Sequence, residues 1–153
     1  MKTLESVLIK HPFFENLDKP YLELVTGCAK NVKFEAGQFI CQHDDEANQF
    51  YIIRHGKVAL EICPPGKAPV TVQTVSEGEI LGWAWLVPPY RWHLDAHAIE
   101  LTRAIALDGQ CLRKKCEEDK NLGYELLKRL LPAIGRSMEA TRLQLLDIYG
   151  ARD

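Results

Sequence analysis

Near Asp108 the hydrophobic pattern of this chain changes period, and that change rules out most architectures. Between Lys30 and Leu107 apolar residues come in short strand-like runs: Val32 and Phe34, Phe39-Ile40, Phe50 to Ile53, Val58 to Ile62, Val70 to Val75, Thr102 to Leu107. Turn residues separate them every eight to twelve positions, the pattern of an antiparallel barrel or jelly roll. From Asp108 the spacing becomes helical and persists to Ile148. A mainly β domain with flanking helices and one long C-terminal helix follows. A chain of 153 residues is long enough for one such domain. Its parts would be residues 1–108, N-terminal helices and β jelly roll, and residues 109–153, the C-terminal helices.

The flanks supply detail. Thr3 to Leu8 forms a helical turn that His11-Pro12 ends, and Phe13, Phe14 and Leu17 are core anchors. Asp18 caps a second helix with Pro20 in its first turn, and Gly27 closes it. Arg54-His55-Gly56-Lys57 reads as a hairpin turn, and Pro64-Pro65-Gly66-Lys67 as a second. Cys111 to Cys116 fits a short helix, and Asp119 caps the long one. Pro132 lacks an amide proton and crowds the carbonyl of Lys128, so a kink is expected there.

Composition excludes several functions. A net charge of −2 gives no general attraction for nucleic acid or anionic membrane. No apolar run spans a bilayer, and the start MKTLESVLIKHPFF has no signal-peptide core, so a cytoplasmic protein without membrane contact is expected. The five cysteines are odd in number and form no CxxC pair, which predicts reduced, structural thiols. GxSxG, HExxH and P-loop motifs are absent, so the chain does not read as an enzyme. His93 and His97 stand four apart on a strand approach, not on a helix, so no metal site is expected.

The stretch Gly78 to Ala98, GEILGWAWLVPPYRWHLDAHA, holds the candidate ligand site: Gly78, Glu79, Ile80, Leu81, Gly82, Trp83, Ala84, Trp85, Arg91, Trp92 and His93. Gly78-Glu79 turns out of a strand, and Gly82 opens a short apolar segment that Pro88-Pro89 halts. Free amides at the start of a helix there would suit an anion. All three tryptophans of the chain lie in this stretch, offering flat surfaces for a ring.

Several segments in order resemble the cyclic nucleotide-binding domains: Pro12-Phe13-Phe14, Phe34 to Ile40, Asn48 to Val58, and Gly78-Glu79-Ile80-Leu81-Gly82. They are similar to the sensor halves of the cyclic AMP receptor protein and FNR regulators. The resemblance implies a double-stranded β-helix jelly roll between N-terminal helices and a long C-terminal helix. It also implies a Glu for the ribose hydroxyl and an Arg for the cyclic phosphate. Trp83 stands in the Glu place and Trp92 in the Arg place, with Arg91 one residue off and His93 in the Ser/Thr place. A one-residue slip turns a strand side chain to the other face, although a bulge could restore it.

Each lost charge-assisted bond is worth roughly 1.5–3 kcal/mol. Two losses would weaken a dissociation constant by a few orders of magnitude, so a cyclic nucleotide is disfavoured as cofactor. Three readings stay open: an altered pocket for another small ligand, a plugged pocket in a protein-interaction module, and true cyclic AMP or cyclic GMP binding. Regulators of this type continue into a helix-turn-helix, whereas this chain stops at Asp153, so nucleic acid is not an expected partner. A stand-alone sensor acting on a protein partner or on its own oligomeric state is expected. Leu127, Leu131, Ile134, Met138, Thr141, Leu145 and Ile148 alternate spacings of four and three, the seam of a helical homodimer. A second stripe, Leu122, Leu126 and Leu130, would bury against the barrel.

Overall fold

The computed structural model describes the backbone of residues 4–150 and the side chains of residues 4–147. Eight strands pair antiparallel into two four-stranded sheets. The first sheet is ordered β1 (Ala29–Phe34), β8 (Thr102–Asp108), β3 (Gln49–His55), β6 (Ile80–Leu81). The second is ordered β2 (Phe39–Cys41), β7 (Asp95–Ala98), β4 (Lys57–Ile62), β5 (Val70–Ser76). Non-sequential neighbours in both sheets give the jelly roll.

Strand β3 explains why Phe50 to Ile53 is apolar without alternation. Tyr51 and Ile53 enter the core between the sheets, while Phe50 and Ile52 join a second core under the helices. Strand β8 repeats this, with Ala104 and Ala106 inward and Ile105 and Leu107 outward. A strand buried on both faces loses the period-2 signal but keeps its side-chain alternation.

The expected hairpin at Gly56 does not form. Strand β3 pairs with β6 and β8, whereas β4 pairs with β5 and β7, so Gly56 is the corner where the chain changes sheets. Its φ is +104°, and a Cβ there would lie 2.5 Å from Thr102 Oγ1 and 2.6 Å from the Leu101 carbonyl oxygen. Only glycine fits both the dihedral and the space. The β4–β5 hairpin through Pro64 to Lys67 is present.

Helices cover the outer face of the first sheet. They are α1 (Leu4–Ile9), a 3-10 turn Pro12–Phe14, α2 (Lys19–Thr26), α3 (Gly109–Glu118) and α4 (Lys120–Gly150). His11 Nδ1 accepts from the Phe13 amide at 3.1 Å and caps the 3-10 turn. Asp18 precedes α2 without a side-chain cap, and Gly27 ends it in right-handed conformation. Asp108 Oδ1 accepts from the Gln110 and Cys111 amides, and Asp119 Oδ1 from the Asn121 and Leu122 amides. Helix α4 runs 31 residues with Pro132 inside it. Leu122, Leu126 and Leu130 bury fully in the helix-side core, as their spacing predicts.

The expectation of reduced thiols is corrected for one pair. Cys28, just after α2, and Cys111, in the first turn of α3, form a disulfide with Cα atoms 5.9 Å apart. The Asp108 amide donates to the Cys28 carbonyl at 2.9 Å, so β8 and the cap of α3 carry the two cysteines together. Their separation of 83 residues conceals that proximity in the sequence. Cys41, Cys63 and Cys116 are free.

Candidate functional site

A cavity of about 620 Å³ lies between the second half of α4 and the β barrel. Ile80, Leu81, Gly82, Trp83, Ala84, Trp92 and His93 line its barrel side, together with Leu60, Gln73 and Leu94. Opposite stand Ile134, Ser137, Met138, Thr141, Arg142 and Leu145 of α4. Seven of the eleven residues expected at the ligand therefore meet around one space.

Two backbone features build the barrel wall. Gly82 has φ +101°, and a Cβ there would lie 2.6 Å from the Trp92 ring. The indole of Trp92 therefore rests directly on the glycine backbone, which positions it as a wall of the cavity. Residues 90–92 are also strapped to the 44–47 loop. The Asp44 amide donates to the Trp92 carbonyl, the Trp92 amide to Asp45, and the Ala47 amide to Tyr90.

The other four expected residues stand outside the cavity, each for a physical reason. Arg91 pairs with Glu46 through an isolated antiparallel backbone bridge, and its side chain donates from Nη1 to the Asp44 carbonyl at 3.1 Å, on the exposed side of the chain. In extended backbone, burying Trp92 turns Arg91 outward. Trp85 is fully buried in the helix-side core, stacked on Phe50 at 4.8 Å between centroids and 7° between planes. Its carbonyl accepts from Arg113, whose guanidinium lies over Tyr90 at 4.2 Å. Trp85 thus anchors the stretch to α3. Gly78 turns the chain before β6, and its amide donates to the Ile53 carbonyl at 2.8 Å. Glu79 accepts the Ser76 amide at 2.8 Å with Oε1, inside its own turn.

The segment after Gly82 is one 3-10 turn, Ala84–Leu86, rather than a helix with a run of free amides. The run of free helical amides expected there is not formed among the described residues. Polar groups at the cavity are few. The Gln73 amide, the His93 imidazole and the Ser137 hydroxyl line it without a hydrogen-bond partner among the described residues. The Thr141 hydroxyl donates to the Ser137 carbonyl at 2.9 Å. Arg142 is committed to Glu139, with Nη2 at 2.6 Å and Nε at 3.2 Å from its carboxylate oxygens. His93 makes a tilted ring contact with Trp83 at 5.5 Å. Burial pushes the Cys41 thiol up to about 12 and the Tyr51 phenol up to about 12, so the barrel interior disfavours charge.

The seam expected to meet a twin is divided. Ile134, Met138, Thr141 and Leu145 face the cavity, while Leu127 and Leu131 are exposed beyond it. The side chain of Ile148 lies outside the described residues. Sequence reasoning missed Leu60, Gln73, Leu94, Ser137 and Arg142, which reach the site only through strand pairing and the path of α4. His97 contacts Glu61 Oε1 at 2.7 Å and does not pair with His93. Among the described residues no group of three or more metal-ligating side chains comes together. Nor is any helix among them long and apolar enough to cross a membrane.

The cyclic nucleotide-binding domain profile matches residues 31–119, more than half of the chain. The chain belongs to the cyclic nucleotide-binding domain family, whose members are regulatory or sensor domains. It is 30% identical over 79 residues to a cAMP-dependent protein kinase regulatory subunit of Dictyostelium discoideum, a match covering 52% of this chain and 24% of that protein. The corresponding subunit of Schizosaccharomyces pombe is 31% identical over 78 residues, covering 51% and 18%. The match thus spans about a quarter or less of these curated relatives' length.

Among solved structures, a Geobacter metallireducens GS-15 protein proposed to bind cyclic nucleotides superposes with TM-score 0.79 at 24% identity, covering 90% of this chain and 99% of that one. The sensor domain of the transcriptional regulator DNR from Pseudomonas aeruginosa gives TM-score 0.71 at 16% identity, covering 88% and 91%. At these identities the likeness concerns the fold.

Proposed function

We propose that this chain is a ligand-sensing regulatory domain, not an enzyme, whose small molecule occupies the cavity between the barrel and α4. The observation that carries the reading is that one cavity touches both the Gly82–His93 segment and the second half of the long helix. An occupant would contact the recognition wall and the output element at once, so binding could bias the position of α4. The open volume speaks against a plugged interaction module, since Trp92 lines the space without filling it.

Cyclic AMP and cyclic GMP are disfavoured occupants. Trp83 stands in the ribose-Glu place, and Arg91 faces Asp44 on the opposite side of the chain. The output is a protein partner or a homodimer formed through α4, and the working compartment is the cytoplasm. Thermal-shift titration with cyclic AMP and cyclic GMP up to millimolar concentration tests the ligand part, because a ligand of the native state raises its melting temperature. No shift is expected. A saturable shift at micromolar cyclic AMP would replace this reading with true cyclic nucleotide binding. Cell fractionation tests the compartment.

A further inference from the structure

We propose that the ligand of this cavity is a neutral, flat, ring-bearing molecule with one or two uncharged hydrogen-bonding groups, and not an anion. The inference rests on the cavity being the ligand site and adds the chemical class. Its walls are mainly apolar: Trp83 and Trp92 line one side, Ile134, Met138 and Leu145 the other. Indoles favour a stacked or edge-on ring, and a methionine adapts to its outline.

Three side chains without permanent charge, Gln73, His93 and Ser137, line this space with no hydrogen-bond partner for the side chain among the described residues. Each can donate and accept a hydrogen bond. They suit an amide, phenol or carbonyl on a small ring system, and none of them carries the permanent positive charge of a lysine or arginine.

The fixed charges point the same way. Arg142 is the one lysine or arginine among the described residues of the cavity wall, and both its side-chain contacts go to the Glu139 carboxylate, the nearer at 2.6 Å. An anion would share that guanidinium with the Glu139 carboxylate already paired to it. Burying an unpaired anion is costly, whereas a neutral ring loses little on leaving water. A volume of about 620 Å³ suits a small ring-bearing molecule.

A matched pair of probes separates the possibilities. Isothermal titration of the full chain at pH 8 would compare 2-naphthamide, 2-naphthoate and cyclic AMP. The amide and the acid share one ring and differ in charge. The neutral amide is expected to bind at least about tenfold more tightly than the carboxylate, with no heat from cyclic AMP. Ser137→Trp places a large side chain from α4 into the space without touching the barrel core, and should abolish amide binding. Circular dichroism would confirm that this variant is folded. Should the carboxylate or cyclic AMP bind as tightly as the amide, and Ser137→Trp remove that binding, the neutral class is wrong while the ligand site stands. Amide binding untouched by Ser137→Trp overturns the inference, because the probe then sits elsewhere. If no probe binds and sedimentation shows a dimer that Ser137→Trp dissociates, the groove holds a second copy's helix. That result overturns both the inference and the small-molecule reading. Absence of binding without such a dimer overturns both as well.

Discussion

Gly82 and His11 show how single residues set local geometry that the surrounding pattern does not announce. At Gly82 a φ of +101° and a Trp92 ring 2.6 Å from the missing Cβ make any side chain intolerable. Gly82→Ala should cost about 1–3 kcal/mol from the dihedral alone, and the displaced indole should change the tryptophan emission. Chemical denaturation followed by fluorescence reads both. His11 caps the Pro12–Phe14 turn, and its burial holds its pKa below the ordinary 6.5. A lowered folded value means that the unfolded chain takes up the proton first. The His11 contribution is therefore fully present above about pH 6.5 and declines as pH falls from there toward the folded pKa. His11→Asn keeps a capping acceptor without a titrating ring, so it should flatten this part of the stability profile between pH 7.5 and 5.5.

Among the elements, the join between α2 and α3 determines how firmly the helices cover the first sheet. The Cys28–Cys111 bond closes a separation of 83 residues. Cutting it should lower stability by about 2–4 kcal/mol, because the unfolded chain regains loop entropy. Urea denaturation with and without a reductant, beside Cys28→Ser, measures the effect. The reductant should leave the variant unchanged, which separates this bond from Cys41, Cys63 and Cys116. Helix α4 is the second determining element. Its first half is anchored by Leu122, Leu126 and Leu130, whereas no described residue of its second half is fully buried and several line the cavity. Pro132 marks the junction between these regimes, and removes one amide from the ladder there.

For the whole molecule the open question is what covers α4. Leu127, Leu131, Met138, Leu143, Leu145 and Leu146 are all exposed, an apolar surface unusual for an isolated helix. We propose a two-fold contact along this helix. Sedimentation at tens of micromolar should show a dimer, and Leu127→Glu with Leu131→Glu should dissociate it, since like charges in a two-fold seam cost several kcal/mol. These two positions lie outside the cavity, so the substitution tests association without altering the ligand walls. A monomeric wild type would remove dimerisation from the proposed output.

The jelly roll, the long helix and its cap Asp119 were legible in the sequence, because hydrophobic period and capping are local properties. So was the family, through ordered segments such as Asn48 to Val58. The stripe Leu122, Leu126 and Leu130 likewise declared its own burial. What needed the tertiary structure depends on pairing between distant residues. Gly56 looks like a hairpin turn in either case, and only the strand order makes it a corner between sheets. Three neighbouring tryptophans carry one local signal, yet Trp85 enters the helix-side core while Trp83 and Trp92 line the cavity. Arg91 differs from Trp92 by one step of an alternating backbone, and the strap to the 44–47 loop decides which faces inward. The 83-residue disulfide and the reach of Ser137 and Arg142 to the same space follow from chain path alone. Local chemistry chose the elements, and their packing in three dimensions chose which side chains share a pocket.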